Sequence, residues 1–155
     1  MHTNKNYALA FGRVLLSSAF VWEGILQLVD PGASAKYFAS VHVPYPDIAI
    51  WLSILINLGA GLALLVGFAT HWVAGVLAIL CLYTAFGVHL QAGDPANMFQ
   101  FYKNLTMAGG LMYVMIFGPG GISVDEAMGA DEADSAIADA ATNPPPPLNQ
   151  PAAHH

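Results

Sequence analysis

The chain has 155 residues, of which 56% are hydrophobic and only 9% charged, with a net charge of −6 and a mean hydropathy of +0.55. A soluble globular domain carries roughly a quarter charged residues, and a protein this short could not keep so much apolar surface dry, so the composition points to a membrane-embedded chain. No basic patch exists, which argues against nucleic acid and anionic lipid headgroups as partners.

Residues 1–6 form a polar leader with one charge, Lys5. The first apolar run, Tyr7–Val29, is about the 20 residues a helix needs to cross the hydrocarbon core. It is too long for a signal-peptide core and has no small-residue cleavage site before a soluble domain, so it reads as an uncleaved insertion signal. Asp30-Pro31-Gly32 should stop it. Residues 31–47 read as a loop, with a short interfacial helix around Ser34–Ser40 and with Tyr45 and Trp51 suited to the headgroup region. The second and third runs, Ile48–Thr70 and His71–Leu90, meet at a tight turn near Thr70-His71 and should form an antiparallel hairpin. Gly59, Gly61, Gly67 and Gly75 are small residues that allow backbones to approach closely in a membrane. The single cysteine, Cys81, cannot form an internal disulfide and reads as core filler.

Residues 91–98 read as a second polar loop. An amphipathic stretch, Phe99–Asn104, then leads into a fourth span, Phe99–Gly118, which ends at Gly118-Pro119-Gly120-Gly121. Six of the ten acids follow: Asp125, Glu126, Asp131, Glu132, Asp134 and Asp139. Beyond a short helix near Val124–Ala141, this acidic tail with its Pro144–Pro147 run is expected to be disordered. The expected fold is an all-α, integral membrane four-helix bundle with short loops. Its membrane domain spans residues 1–121 and its acidic, proline-rich tail residues 122–155. Lys5 and Arg13 on one side nearly balance Lys36 and Lys103 on the other, so the positive-inside rule separates the two orientations weakly. Uncleaved entry and the acidic tail favour both termini inside.

Four alternating spans fix relative depth without fixing orientation. Glu23 and Gln27 lie late in the first span, His89 ends the third, and Lys103 and Asn104 begin the fourth. All five should therefore share one end of the bundle. At 100° per residue, Arg13, Ser17, Phe20, Gly24 and Gln27 fall in one stripe of the first helix, with Glu23 just beyond its edge. That face should point inward, because charged groups avoid lipid. Arg13 lies ten residues from Glu23, about 15 Å along the axis, and belongs to the opposite end, near His71 and the end of the fourth span.

Each polar residue has a structural alternative. Glu23 is either a structural carboxylate bonded to Lys103 or His89, or part of a carboxylate–histidine pair that relays protons or binds a quinone headgroup. His89 otherwise reads as a helix-end residue, Lys103 as a snorkelling lysine, Arg13 as an interfacial anchor, and Asn57 as interhelical glue. No C-x-x-C, phosphate-binding glycine loop or metal-spaced His/Cys cluster is present. His71 and His89 lie near opposite ends of one span, which makes haem ligation between them improbable. Neither haem nor metal is expected.

The segment Phe101-Tyr102-Lys103-Asn104-Leu105-Thr106-Met107-Ala108-Gly109-Gly110-Leu111, followed by Gly118-Pro119-Gly120-Gly121-Ile122-Ser123-Val124-Asp125, resembles the DoxX family of four-span membrane proteins. The first span fits as well, with Arg13, Phe20, Gly24 and Gln27 at matching positions. The resemblance covers about residues 7–126. Two departures stand out: Gln27 replaces a family lysine, and Gly121 replaces a frequent basic residue. The resemblance implies a four-helix bundle in a bacterial or archaeal inner or plasma membrane. It also implies association with redox systems such as the membrane subunit of thiosulfate:quinone oxidoreductase.

The first expectation for function is therefore a membrane subunit of a redox system that handles quinone, contacting lipids and a protein partner. Glu23, His89 and Lys103 are its catalytic candidates, binding or protonating a quinone oxygen. Trp22, Gln27, Phe101 and Asn104 are its cofactor-binding candidates. The second is a non-catalytic accessory subunit that anchors a larger complex. A small-solute transporter ranks last, because residues 7–70 and 71–118 show no convincing repeat.

Overall fold

The computed structural model describes residues 2–90 and 94–142. Among them the chain is helical with short connections and no strands. Helix α1 (His2–Val29) is followed by a short α2 (Pro31–Ser40) and by α3 (Pro46–Val66). Helix α4 (Thr70–Thr84) continues through a π-helical turn, Ala85–His89. Then come α5 (Pro95–Phe117) and α6 (Val124–Thr142). Three segments are long and apolar enough to cross a membrane: Asn6–Val29, Pro46–Val66 and Thr70–His89. Helix α5 is comparably long, but its first half carries Asn97, Gln100, Lys103 and Asn104. It completes the bundle by packing along α4 rather than by uniform hydrophobicity.

Local sequence explains the boundaries. Asp30 ends α1 and also starts α2, because its Oδ1 accepts from Ala33 N at 2.9 Å and Pro31 occupies the first helical position. The interfacial helix therefore begins three residues before Ser34. Asp94-Pro95 repeats the device, with Asp94 Oδ1 accepting from Ala96 N and Asn97 N. Helix α5 thus includes Pro95–Met98, part of the stretch 91–98 expected to be a loop. The α3–α4 turn sits at Gly67–Ala69 rather than at Thr70-His71. Gly67 (φ 74°) supplies the left-handed C-cap that ends α3, and Thr70 already belongs to α4.

The expected stripe on α1 is the buried one: Arg13, Ser17, Phe20, Gly24 and Gln27 all face inward. Helix α1 packs chiefly on α3, and α4 chiefly on α5. The α3–α4 hairpin is real, but its two helices touch each other less than they touch these other partners. Close approach of α1 and α3 depends on glycine. A Cβ on Gly24 would lie 2.8 Å from Leu58 Cγ, and one on Gly61 would lie 3.1 Å from Phe20 Cβ and 3.2 Å from Val21 N. Gly59, by contrast, faces open space. The core joins Phe20, Leu64, Leu77, Ala78, Cys81, Ala108 and Leu111. Outward residues such as Phe11, Leu55 and Ile79 are exposed and apolar, as a lipid solvent requires.

The end of the bundle that holds Arg13 is closed by hydrogen bonds. Arg13 Nη1 donates to Pro119 O at 2.6 Å and Nη2 to Ile122 O at 2.8 Å. This fixes the turn after α5 against α1. Asp125 Oδ1 and Oδ2 accept from Ala69 N (2.7 Å) and Thr70 N (2.8 Å), and Asp125 N donates to Gly67 O at 2.9 Å. His71 Nδ1 donates to Met115 O at 2.6 Å. The α3–α4 turn is thus capped by the start of α6. The acidic tail forms the helix expected near Val124–Ala141, with Asp125 and Glu126 in its first turn where the dipole favours them. The proline-rich run and His154-His155 lie outside the described residues.

Burial penalises the Asp125 charge, yet the N–H donors of Thr70 and Ala69 and the nearby His71 outweigh it and hold the carboxyl below its usual range. A folded-state pKa below the unfolded one stabilises above the ordinary carboxylate range, and the benefit fades as pH falls through the folded value. Asp125→Asn should therefore lower stability at neutral pH by about 1–3 kcal/mol, the worth of hydrogen bonds to a charged group. It should also flatten the acid limb of a melting-temperature profile recorded in mild detergent.

Candidate functional site

At the opposite end the helices line a cavity of about 380 Å³. Helices α1, α3, α4 and α5 form its walls, and α2 with residues 41–44 covers it. The walls are mainly apolar, from residues such as Phe20, Phe38, Leu52, Ile56 and Met107. Glu23, Gln27, His89, Lys103 and Asn104 all line it. The five residues placed at one depth by alternation of spans therefore meet around one space.

Gln27 is the most constrained of them, at 6% exposure. Its Oε1 accepts from Ser53 Oγ at 3.0 Å and from Asn57 Nδ2 at 3.4 Å, and Asn57 Nδ2 also donates to Ser53 Oγ at 3.0 Å. The amide thus ties α1 to α3. Its Nε2 reaches Glu23 Oε1 at 3.5 Å, the outer limit of a hydrogen bond. The direct bond from Glu23 to Lys103 or His89, one of the structural alternatives above, is not formed among the described residues. Glu23 sits one turn from Gln27 on the same helix, leaving most of its carboxylate to the cavity.

His89 reaches the cavity at the end of the π-helical turn, a local rewinding that often marks functional positions. Thr84 Oγ1 donates to Leu80 O at 3.0 Å and covers a carbonyl just before that turn. His89 Nδ1 lies 3.0 Å from Asn97 Oδ1, which also accepts from Tyr37 OH at 3.1 Å. Asn97 Nδ2 in turn donates to Asp94 Oδ2 at 2.6 Å. Burial, then the charges of Asp94 and Glu23, push the Tyr37 phenol above its usual range, so it stays protonated and donates. Hydrogen bonds from the Asn97 side chain and backbone hold exposed Asp94 below its usual range.

Two expected ring contacts lie elsewhere. Trp22 is 63% exposed on the outer face of α1, since its position is rotated 100° from Glu23. Phe101 is buried, but it packs edge-on against Phe86 (5.3 Å, 85°) and Tyr102 (5.2 Å, 78°) instead of lining the cavity. Phe20 and Phe38 supply the aromatic wall. Ser53, Asn97 and Tyr37 join these networks although helical periodicity does not single them out. The Asp94-Pro95 capping signal, with an asparagine three residues after the aspartate, was the available clue to Asn97.

Among the described residues, no three His, Cys, Asp or Glu side chains converge where an ion could sit. The cavity instead offers a mainly apolar space lined also by a carboxylate (Glu23), an imidazole (His89), an ammonium (Lys103) and the amides of Gln27, Asn57, Gln100 and Asn104.

The chain matches the model of the DoxX family over residues 8–90. That segment includes Glu23, Gln27 and His89 and stops before the α5 motif that carries the sequence resemblance. The chain is 34% identical over 113 residues to the inner membrane protein YqjF of Escherichia coli, covering 73% of this chain and 85% of that protein. It is 30% identical over 122 residues to the inner membrane protein YphA of the same organism, covering 76% and 87%. No solved structure matches it.

The Gln27–Ser53–Asn57 network predicts that α1 and α3 are energetically coupled. A double-mutant cycle of Gln27→Ala and Asn57→Ala should give a coupling of about 0.5–1.5 kcal/mol, the range for hydrogen bonds between membrane helices. Strict additivity in reversible detergent unfolding would show that the two amides act apart.

Proposed function

The chain belongs to the DoxX family of integral inner-membrane proteins, and we propose that it is the ligand-binding membrane subunit of a redox system, its cavity taking a quinone-type headgroup. One observation carries this reading: polar groups from α1, α3, α4 and α5 meet around an apolar chamber at one end of the bundle. Its volume falls at the lower end of the roughly 300–1,000 Å³ seen for small-molecule sites. That suits a single substituted ring whose apolar tail leaves between helices into lipid.

A quinone carries electrons and protons together between membrane proteins. The residues here fit the proton and binding side of that chemistry. Lys103 is a donor with no acceptor capacity and would hold a ring oxygen. Asn104 Nδ2 donates to Gln100 O at 3.1 Å, which leaves its carbonyl oxygen for the chamber. Glu23 and His89 are groups able to accept or release a proton beside the ring. Phe20 and Phe38 would pack on its faces. In this reading the electrons come from a partner protein.

An accessory role is the second reading, and α6 favours it. This helix leaves the bundle with Met128 and Ile137 exposed among acids, a surface suited to a protein contact.

Binding decides between them. The full chain in lipid nanodiscs should bind a short-chain benzoquinone, and Lys103→Gln should weaken that binding about tenfold, the loss of one charge-assisted hydrogen bond. No measurable binding, together with loss of a co-purifying protein on deletion of residues 124–142, would favour the accessory reading.

A further inference from the structure

His89 has its hydrogen-bonding role set by its neighbours. The Asn97 amide is oriented by Asp94, whose carboxylate can only accept and takes Asn97 Nδ2 at 2.6 Å. Asn97 Oδ1 therefore faces His89 Nδ1 at 3.0 Å and accepts from Tyr37 OH as well. An amide oxygen has no hydrogen to give, so Nδ1 carries one. In the neutral ring Nε2 is then left with a lone pair. Among the described residues Nε2 has no partner, and the ring is buried against the cavity that it lines.

Resting on the quinone-type reading above, we infer that Asn97 is a positioning residue: it presents His89 Nε2 to the cavity as a hydrogen-bond acceptor, so the site selects the reduced, hydroxyl-bearing form of its ring over the oxidised dione. A dione has only acceptor oxygens. Against Nε2 it places lone pair to lone pair and leaves the imidazole unpaired in an apolar wall. A benzoquinol donates its O–H to Nε2, and its oxygen still accepts from Lys103. Sites built to pair with a hydroxyl discriminate strongly against the analogue without one, because their own buried group goes unpaired. The groups bonding His89 and Asn97 come from three elements, Tyr37 on α2, Asp94 at the cap of α5 and the π-helical turn itself, so the orientation does not depend on one flexible contact.

The test compares a short-chain benzoquinol, kept reduced under anaerobic conditions, with its benzoquinone on the full chain in lipid nanodiscs. The quinol should bind roughly threefold to tenfold more tightly, the worth of one hydrogen bond, and Asn97→Ala should bring the two affinities within about twofold of each other. Nitrogen NMR of the histidine-labelled, unsubstituted chain should show His89 as the Nδ1–H tautomer, which decides the point even if Asn97→Ala fails to fold. Equal affinities, tighter binding of the dione, an Nε2–H tautomer or a doubly protonated ring would each overturn the inference while leaving the quinone-type site in place. Failure of both ring forms to bind would remove that site and the inference with it.

Discussion

A polar side chain inside hydrocarbon must find a partner, and for α1 that partner lies on α3. Gln27 cannot turn to lipid without leaving an amide unpaired, so its bonds to Ser53 and Asn57 set the rotation of α1. Once that rotation is set, Arg13, Ser17, Phe20 and Gly24 are carried inward on the same stripe. Gly24 and Gly61 then allow the backbones to close. Rotation also settles which neighbours look outward: Trp22 to lipid, Glu23 to the chamber.

The two ends of the bundle are built differently. At one end, Arg13 binds the turn after α5 and Asp125 caps the turn between α3 and α4, so α1, α3, α4, α5 and α6 are linked there. At the other end, between the α1–α3 and α4–α5 pairs, lies a cavity that residues of α2 also line. The hydrogen-bonded end links the helices, and the other end leaves the cavity. Glu23 and Lys103 are only partly buried there, and a carboxylate and an ammonium within a membrane span carry a solvation cost.

Much of this was legible in the sequence because a membrane makes depth and facing readable. Alternating spans brought Glu23, Gln27, His89, Lys103 and Asn104 to one end, and helical periodicity identified the α1 stripe. The missed features depend on contacts between segments that no periodicity records. Phe101 looked available but was claimed by Phe86 and Tyr102. Trp22 is expected at the ring, but it lies 100° round the helix from Glu23 and faces outward. Asn97 lies in the polar run 91–98, which reads as a loop although Asp94-Pro95 within it caps a helix. The π-helical turn at Ala85–His89 has no pattern in single-residue propensity, yet it delivers His89 to the chamber.

The most direct test of the chamber as the ligand site is photolabelling. A photoreactive short-chain benzoquinone, irradiated with the full chain in native-like membranes and mapped by peptide mass spectrometry, should mark Glu23–Gln27, Ser53–Asn57 and Lys103–Met107, with labelling suppressed by excess unmodified quinone. Labels that fall instead on lipid-facing positions such as Trp22, Trp51 and Ile79, and that excess quinone does not suppress, would contradict it.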